Sequence, residues 1–166
     1  TIPRLLYSYA QSSAQRNAHN IVRKLGMPAD YFWKFEYWPK ARAFTTLGQI
    51  VGRVFSAIMK QAKEGNMKMV ELEVEPLRIG FSFEDCVECA GISGLKQGIC
   101  YYHAGTFAGI ISSLINRDLA GFETSCYARG DQSCHVMMGE KTDKDIITAF
   151  DAYISPPEIS TDLALR

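Results

Sequence analysis

Residues 100–136 have the sequence CYYHAGTFAGIISSLINRDLAGFETSCYARGDQSCHV, and the spacing of apolar residues changes partway along this segment. Residues 99–115 are apolar and rich in Ala and Gly, which predicts a buried helix. Residues 119–128 and 133–138 predict two strands joined by a tight turn at residues 129–132. We therefore expect a helix followed directly by a β-hairpin.

The rest of the chain extends this pattern on both sides. Helical spacing of apolar residues predicts helices over residues 3–25, 44–63 and 144–153. Alternation predicts strands over residues 67–75 and 77–83, which together form a second hairpin.

In the first of these strands, Met67, Met69 and Glu71 are expected on one face, opposite Val70 and Leu72. The sequence thus predicts an α+β fold, with an antiparallel sheet of about four strands packed with an N-terminal helical layer. We expect residues 1–155 to form a single domain and residues 156–166 to form a loose C-terminal tail.

Composition and charge limit the classes of partner. The chain has 166 residues, enough for one domain with a sizeable core, and a formal net charge of zero. A neutral chain is not expected to contact nucleic acid directly. No apolar run approaches the roughly 20 residues that span a bilayer, and the start does not resemble a signal peptide, so we expect no membrane partner and a cytoplasmic location.

Cysteines indicate a metal site. All five lie between residues 86 and 134, and an odd number in a reducing compartment argues against a disulfide framework. Cys126 and Cys134 flank the predicted hairpin turn, and Cys100 opens the buried helix, where the helix dipole favours a thiolate. Glu123 completes a tetrahedral zinc shell only if a bulge turns it towards Cys126.

Three alternatives stay open on the residues alone. Cys86 and Cys89 form a CxxC pair, a familiar half of a zinc site, and compete as ligands. Four cysteines could also hold an iron–sulfur cluster. Finally, all five could be small buried hydrophobic residues, since cysteine is among the most buried residue types.

The segment 100–136 resembles the signature of the 4-vinyl-reductase-type domain family. The family pattern is a Cys, a Gly-containing helix, Glu-x-x-Cys, Gly-Asp and a final Cys; it is matched here by Cys100, Gly105, Gly109, Glu123, Cys126, Gly130, Asp131 and Cys134. The resemblance implies the fold of a ligand-binding superfamily that includes nitric-oxide sensors and transport-particle subunits, whose members commonly form homodimers. It also implies a structural Zn²⁺ bound by Cys100, Glu123, Cys126 and Cys134.

Cys86 and Cys89 lie outside that implied zinc set. They could be a thiol redox pair, a second metal site or plain loop residues.

An apolar ligand pocket is the other candidate site. Aromatic side chains commonly line pockets for small molecules. The candidate lining residues are Tyr31, Phe32, Phe35, Trp38, Tyr101 and His103. The competing interpretation of the aromatic residues between Tyr31 and Trp38 is a core segment or a dimer interface. For His103 the favoured interpretation is a helix-surface histidine with no special role.

These observations favour a binding or sensor domain for a small hydrophobic or aromatic molecule, with a structural zinc ion. One alternative is a reductase acting on a tetrapyrrole vinyl group, or its accessory factor, as the family name implies. The chain has no Ser–His–Asp order, phosphate loop or dinucleotide fingerprint, so we lean against an enzyme. A second alternative is a redox sensor that uses Cys86 and Cys89.

Overall fold

A computed structural model describes residues 1–24 and 65–155, together with residues 48, 49, 52, 53, 56, 59 and 60. Its elements in chain order are α1 (Ile2–Lys24), β1 (Asn66–Val74), β2 (Leu77–Glu84), α2 (Tyr101–Ile115), β3 (Leu119–Ser125), β4 (Cys134–Glu140) and α3 (Lys144–Ile154). The seven isolated positions between 48 and 60 are helical, as predicted for residues 44–63. The predicted tail, residues 156–166, lies outside the described residues.

The four strands form one antiparallel sheet in the order β1-β2-β4-β3. Helix α2 packs on the sheet, where the ring of Phe107 lies 5.6 Å from Phe81 and 5.3 Å from Phe83, between ring centroids. Helix α1 packs against α2. The predicted α+β fold, with a four-stranded antiparallel sheet and an N-terminal helical layer, is therefore confirmed.

Strand β2 follows the predicted alternation, and Leu77, Ile79, Phe81 and Phe83 are all fully buried. Strand β1 does not. Its pairing shifts between Met69, opposite Phe81, and Glu71, opposite Gly80, so Val70 is an exposed bulge residue. The extra residue reverses the alternation, and the side chain that follows Met69 into the core is Leu72. The predicted common face of Met67, Met69 and Glu71 is wrong for this reason.

Two glycines bring α1 unusually close to α2. A Cβ atom on Gly105 would lie 2.5 Å from the carbonyl oxygen of Tyr7, and one on Gly109 would overlap the carbonyl of Gln11. The buried Tyr7 also reaches β3, where its hydroxyl accepts a hydrogen bond from the amide of Gly121 at 2.9 Å. Gly105 and Gly109, two of the small residues in the predicted buried helix, therefore set the distance between α1 and α2.

The connection between β3 and β4 is longer than predicted. Strand β3 ends at Ser125, and a 3₁₀ turn follows at Tyr127–Arg129. The Asp131 carboxylate accepts a hydrogen bond from the amide of Cys126 at 2.7 Å, which folds the connection back on itself. The predicted strand over residues 119–128 and tight turn at 129–132 are wrong at this point.

Among the described residues, no helix has the length and apolar character needed to cross a bilayer.

Candidate metal centre

All five cysteines meet at one end of the sheet, where each is a buried free thiol. Cys86 and Cys89 follow β2, and Cys100 immediately precedes α2. Cys126 follows β3, and Cys134 begins β4. Four separate segments of the chain thus deliver sulfur atoms to one place, which is more than burial of small hydrophobic residues requires.

Three of these sulfurs form a triangle of the size that a zinc ion needs. The Sγ atom of Cys100 lies 4.0 Å from that of Cys126 and 3.8 Å from that of Cys134. The third side, between Cys126 and Cys134, is 4.0 Å. A tetrahedral ion with Zn–S bonds of about 2.3 Å holds its sulfurs about 3.8 Å apart.

Glu123 supplies a fourth donor atom beside this triangle. The expected bulge is present, since the pairing of β3 with β4 shifts between Glu123 and Ser125. The side chain is only 7% exposed, and its Oε2 accepts a hydrogen bond from the amide of Cys100 at 3.0 Å. Its Oε1 is buried and has no hydrogen-bond partner among the described residues. A bound cation would give this oxygen the partner that buried polar atoms normally have.

Gly98 makes room for that carboxylate. A Cβ atom at this position would overlap Glu123 Oε2 and lie 2.9 Å from its carboxyl carbon. Burial raises the pKa of Glu123 to about 8, because a charged carboxylate is unfavourable in a dry site. The sequence alone did not indicate that Gly98 contacts the side chain of Glu123.

A second set of four ligands overlaps the first. The sulfurs of Cys86, Cys89, Cys100 and Cys134 also lie within 4.8 Å of one another, as do the donor atoms of Cys100, Glu123, Cys126 and Cys134. Cys86 lies 3.5 Å from Cys100, and Cys89 lies 3.2 Å from Cys134. Both sets can hold an ion, so the choice of the Glu123 set stays a prediction. Sulfur atoms this close together suit ligands of single ions better than a four-iron cluster, in which each thiolate ligates a different iron.

Without a metal, the thiols compete for protons. The hydrogen bond with Cys100 is the main cause that lowers the pKa values of Cys86 and Cys126. The hydrogen bond with Cys126 in turn raises the pKa of Cys100, and burial raises the pKa of Cys89 to about 11. Some sulfurs are therefore stabilised as thiolates only while others stay protonated. A divalent cation removes that restriction, because it replaces the shared protons.

His103 is buried beside the cluster, so the favoured interpretation of a surface histidine is wrong. It is 2% exposed, and its Nδ1 lies 2.7 Å from Glu88 Oε2 and 3.6 Å from Cys86 Sγ. Burial lowers the pKa of His103, but the hydrogen bonds with Cys86 and Glu88 raise it more, to about 10. Glu88 also accepts hydrogen bonds from the amides of Tyr102 and His103, at 3.0 and 3.1 Å, at the start of α2.

Sequence reasoning missed Glu88. The sequence gives no local signal for this role, because Glu88 lies well before the start of α2 at Tyr101 and reaches it only through the fold of the connecting loop.

The predicted ligand pocket is described only in part. Tyr101 is buried, its ring lies 4.8 Å from that of Tyr153, and its hydroxyl accepts a hydrogen bond from Gln97 at 3.0 Å. His103 stacks on Phe83, with ring centroids 5.4 Å apart. The remaining candidates lie outside the described residues: Tyr31, Phe32, Phe35 and Trp38. The pocket therefore stays a prediction.

The described residues line at least two open cavities. One, of about 460 Å³, has a polar lining: Gln15, Ser112, Ser113, Asn116, Arg117 and Asp118. The other, of about 380 Å³, reaches the cysteine cluster and is lined by Asp85, Cys86, Cys89, Ala90, Gly91, Ile92 and Tyr127.

Comparison with known proteins supports the resemblance of residues 100–136 to the 4-vinyl-reductase-type domain family. The family model of the V4R domain matches residues 79–140, which hold all five cysteines and Glu123. An uncharacterized protein of Methanocaldococcus jannaschii is 26% identical over 84 residues, which are 51% of this chain and 47% of that protein. The chain spans about half the length of the curated relatives it matches. The resemblance to the V4R family is thereby confirmed.

Two solved structures share the fold. The phenol-responsive sensory domain of the transcription activator PoxR, solved with phenol, superposes with a TM-score of 0.62 at 13% identity, covering 93% of this chain and 72% of that domain. A trafficking protein particle complex subunit 3 from Naegleria fowleri, covalently bound to palmitic acid, gives a TM-score of 0.58 at 10% identity. That match covers 84% of this chain and 80% of the subunit. At these identities the likeness is one of fold.

Proposed function

We propose that this chain is a zinc-containing binding or sensor domain for a small hydrophobic or aromatic molecule. The observation that carries the metal assignment is the triangle of sulfurs from Cys100, Cys126 and Cys134, 3.8 to 4.0 Å on a side. Beside it lies the buried Oε1 of Glu123, which has no hydrogen-bond partner among the described residues. Three thiolates and one carboxylate fit Zn²⁺.

The proposed metal is structural. Four protein ligands close a tetrahedral shell, and zinc sites that activate water keep one position open. The ligands come from the start of α2, the end of β3 and the start of β4, so the ion would connect the central helix to the sheet. The binding free energy of such an ion contributes to folding, because the site does not exist in the unfolded chain.

The proposed ligand is small and apolar. This is supported by the two proteins of the same fold, one solved with phenol and the other with palmitic acid. The proposed wall is Tyr31, Phe32, Phe35, Trp38, Tyr101 and His103. We also propose that the domain acts in the cytoplasm as a homodimer, without direct contact to nucleic acid or membrane.

Zinc analysis and ligand titration test this function together. The full chain, purified under reducing conditions without added metal, is expected to contain at least one zinc ion. Isothermal titration with phenol and with palmitic acid is expected to show binding that weakens after zinc removal, because the ion orders one wall. Zinc-free protein that also takes up none on incubation would overturn the metal proposal, and heat-silent titrations with both probes would overturn the ligand class.

Redox sensing is a second candidate, favoured by the 3.2 Å between the sulfurs of Cys89 and Cys134. Hydrogen peroxide would oxidise these two thiols to a disulfide and be reduced to two water molecules. This pair differs from the predicted pair of Cys86 and Cys89, which stays a prediction, and its oxidation would remove Cys134 as a metal ligand. Peptide mapping after peroxide treatment of metal-free protein is expected to find this disulfide; a chain whose thiols stay free or pair elsewhere would exclude it.

A further inference from the structure

We propose that the cysteine cluster holds two metal ions that share the thiolates of Cys100 and Cys134. The first ion is the one in the proposed zinc site, so the inference rests on the proposed function for that ion. The second ion would be bound by Cys86 and Cys89 in addition to the two shared sulfurs. This gives the CxxC pair, which the first site does not use, a role as half of a second site.

The positions of the ligands fit two tetrahedra that share an edge. Cys100 and Cys134 belong to both four-ligand sets, and their sulfurs lie 3.8 Å apart. That separation equals the roughly 3.8 Å expected between two sulfurs on one zinc ion. Cys86 approaches Cys100 to 3.5 Å, and Cys89 approaches Cys134 to 3.2 Å. Each shared sulfur therefore has a partner from the CxxC pair.

The charge of the cluster permits a second ion. With one ion bound by the Glu123 set, Cys86 and Cys89 remain as two buried thiols. A second divalent ion displaces both thiol protons to solvent, so it adds no further uncompensated charge to the buried cluster.

The loop that carries the CxxC pair is held in place by its own contacts. Glu88, between the two cysteines, accepts hydrogen bonds from the amides of Tyr102 and His103. His103 contacts both Glu88 and the sulfur of Cys86. Such surrounding hydrogen bonds orient metal ligands before the ion arrives. The second site is thus preorganised against the start of α2.

The two ions would exchange with solvent at different rates. The cavity of about 380 Å³ is lined by Cys86 and Cys89, whereas the ligands Glu123 and Cys126 do not line it. The second ion, held by four thiolates next to this opening, would therefore leave and enter faster. A four-sulfur shell selects soft or borderline divalent ions such as Cd²⁺ and Zn²⁺.

Native mass spectrometry of the metal-free full chain titrated with Zn²⁺ tests the stoichiometry. The wild type is expected to reach two zinc ions, and the double variant Cys86→Ser/Cys89→Ser to stop at one. A wild type that stays at one ion in excess zinc overturns the inference. If that ion is lost in Glu123→Gln/Cys126→Ser and kept in the CxxC variant, the proposed zinc site stands alone; if no zinc binds at all, both proposals fail.

Cobalt titration of the wild type tests the sharing without any variant. Thiolates that bridge two Co²⁺ ions couple their spins, so the electron paramagnetic resonance signal of the first ion is expected to decrease as the second binds. A signal that simply doubles would overturn the shared edge. A chelator is expected to remove the second ion, which lies next to the cavity, much faster than the first. Release of both ions at a single rate would contradict the proposed difference in their exchange rates.

Discussion

Glu123 is the residue on which the identity of the metal set depends. One of its oxygens accepts a hydrogen bond from Cys100, and the other is buried without a partner among the described residues. A buried polar atom left in this way costs about 1 to 3 kcal/mol. An ion in the Glu123 set removes that penalty, whereas an ion held by the CxxC set alone does not.

The pH dependence of the metal-free protein follows from the same residue. Burial raises the pKa of Glu123 from 4.5 to about 8, so the folded state keeps a proton that the unfolded state releases. The contribution of Glu123 to the free energy of unfolding should therefore fall as pH rises between these values, by up to about 1.4 kcal/mol per unit. Glu123→Gln carries no charge and should remove this slope, which chemical denaturation at pH 5 and pH 8 measures. Equal slopes in both proteins would contradict the account.

Gly98→Ala tests whether the position of the carboxylate matters. The added Cβ would overlap Glu123 Oε2, so the side chain must move although every ligand is retained. We expect zinc affinity to fall about 10- to 100-fold, the usual effect of disturbing a ligand's support. Competition with a chromophoric chelator measures the affinity. In a Glu123→Gln background the same substitution should have little further effect, and an additive loss would show that Gly98 acts elsewhere.

Sequence reasoning at this scale succeeded where the chemistry is local. Cysteine positions predicted a cluster, and the need for a bulge after Glu123 followed from the alternation of a strand. It failed for His103, because a helical position does not reveal which neighbours cover it. Its burial depends on Phe83 and Glu88, which reach it from β2 and from the following loop.

At the scale of elements, a single substitution can test the close contact between α1 and α2. Replacing a helical glycine with alanine ordinarily stabilises a helix by about 1 kcal/mol. Gly105→Ala should instead destabilise the fold by about 1 to 3 kcal/mol, because the Cβ meets the carbonyl oxygen of Tyr7. Thermal and chemical denaturation check the sign.

Gly52→Ala is the matched control for that substitution. Gly52 is helical, and a Cβ atom added there meets no described atom within 4 Å. It should be neutral or stabilising. If Gly105→Ala were equally harmless, the helices would not be in close contact through this glycine.

The elements themselves were largely predictable, and the departures have local causes. Helices α2 and α3 and strand β2 begin and end within about two residues of the predicted bounds, because their apolar spacing is regular. The bulge at Val70 and the folded connection after Ser125 were not predictable in detail. The first reflects pairing with β2, and the second depends on the side chain of Asp131.

At the scale of the whole molecule, the proposed homodimer has a candidate interface on α1. Ile2, Leu5, Leu6 and Tyr9 follow helical spacing and are between 44% and 74% exposed. An apolar stripe of this kind is typical of a surface that another chain covers. We expect Leu5→Glu/Tyr9→Glu to shift the protein to a monomer in light scattering, while Arg4→Glu, a charge change on the same helix, leaves the dimer intact. A wild type that is monomeric at high concentration would refute the dimer.

The most direct test of the central claim is zinc retention in two matched variants of the full chain. Native mass spectrometry under reducing conditions would compare Glu123→Gln/Cys126→Ser with Cys86→Ser/Cys89→Ser, both analysed after dialysis against a mild chelator. We expect the CxxC variant to keep one tightly held zinc ion and the Glu123 variant to lose its tight ion. Retention of tight zinc by the Glu123 variant, with loss from the CxxC variant, would contradict this expectation.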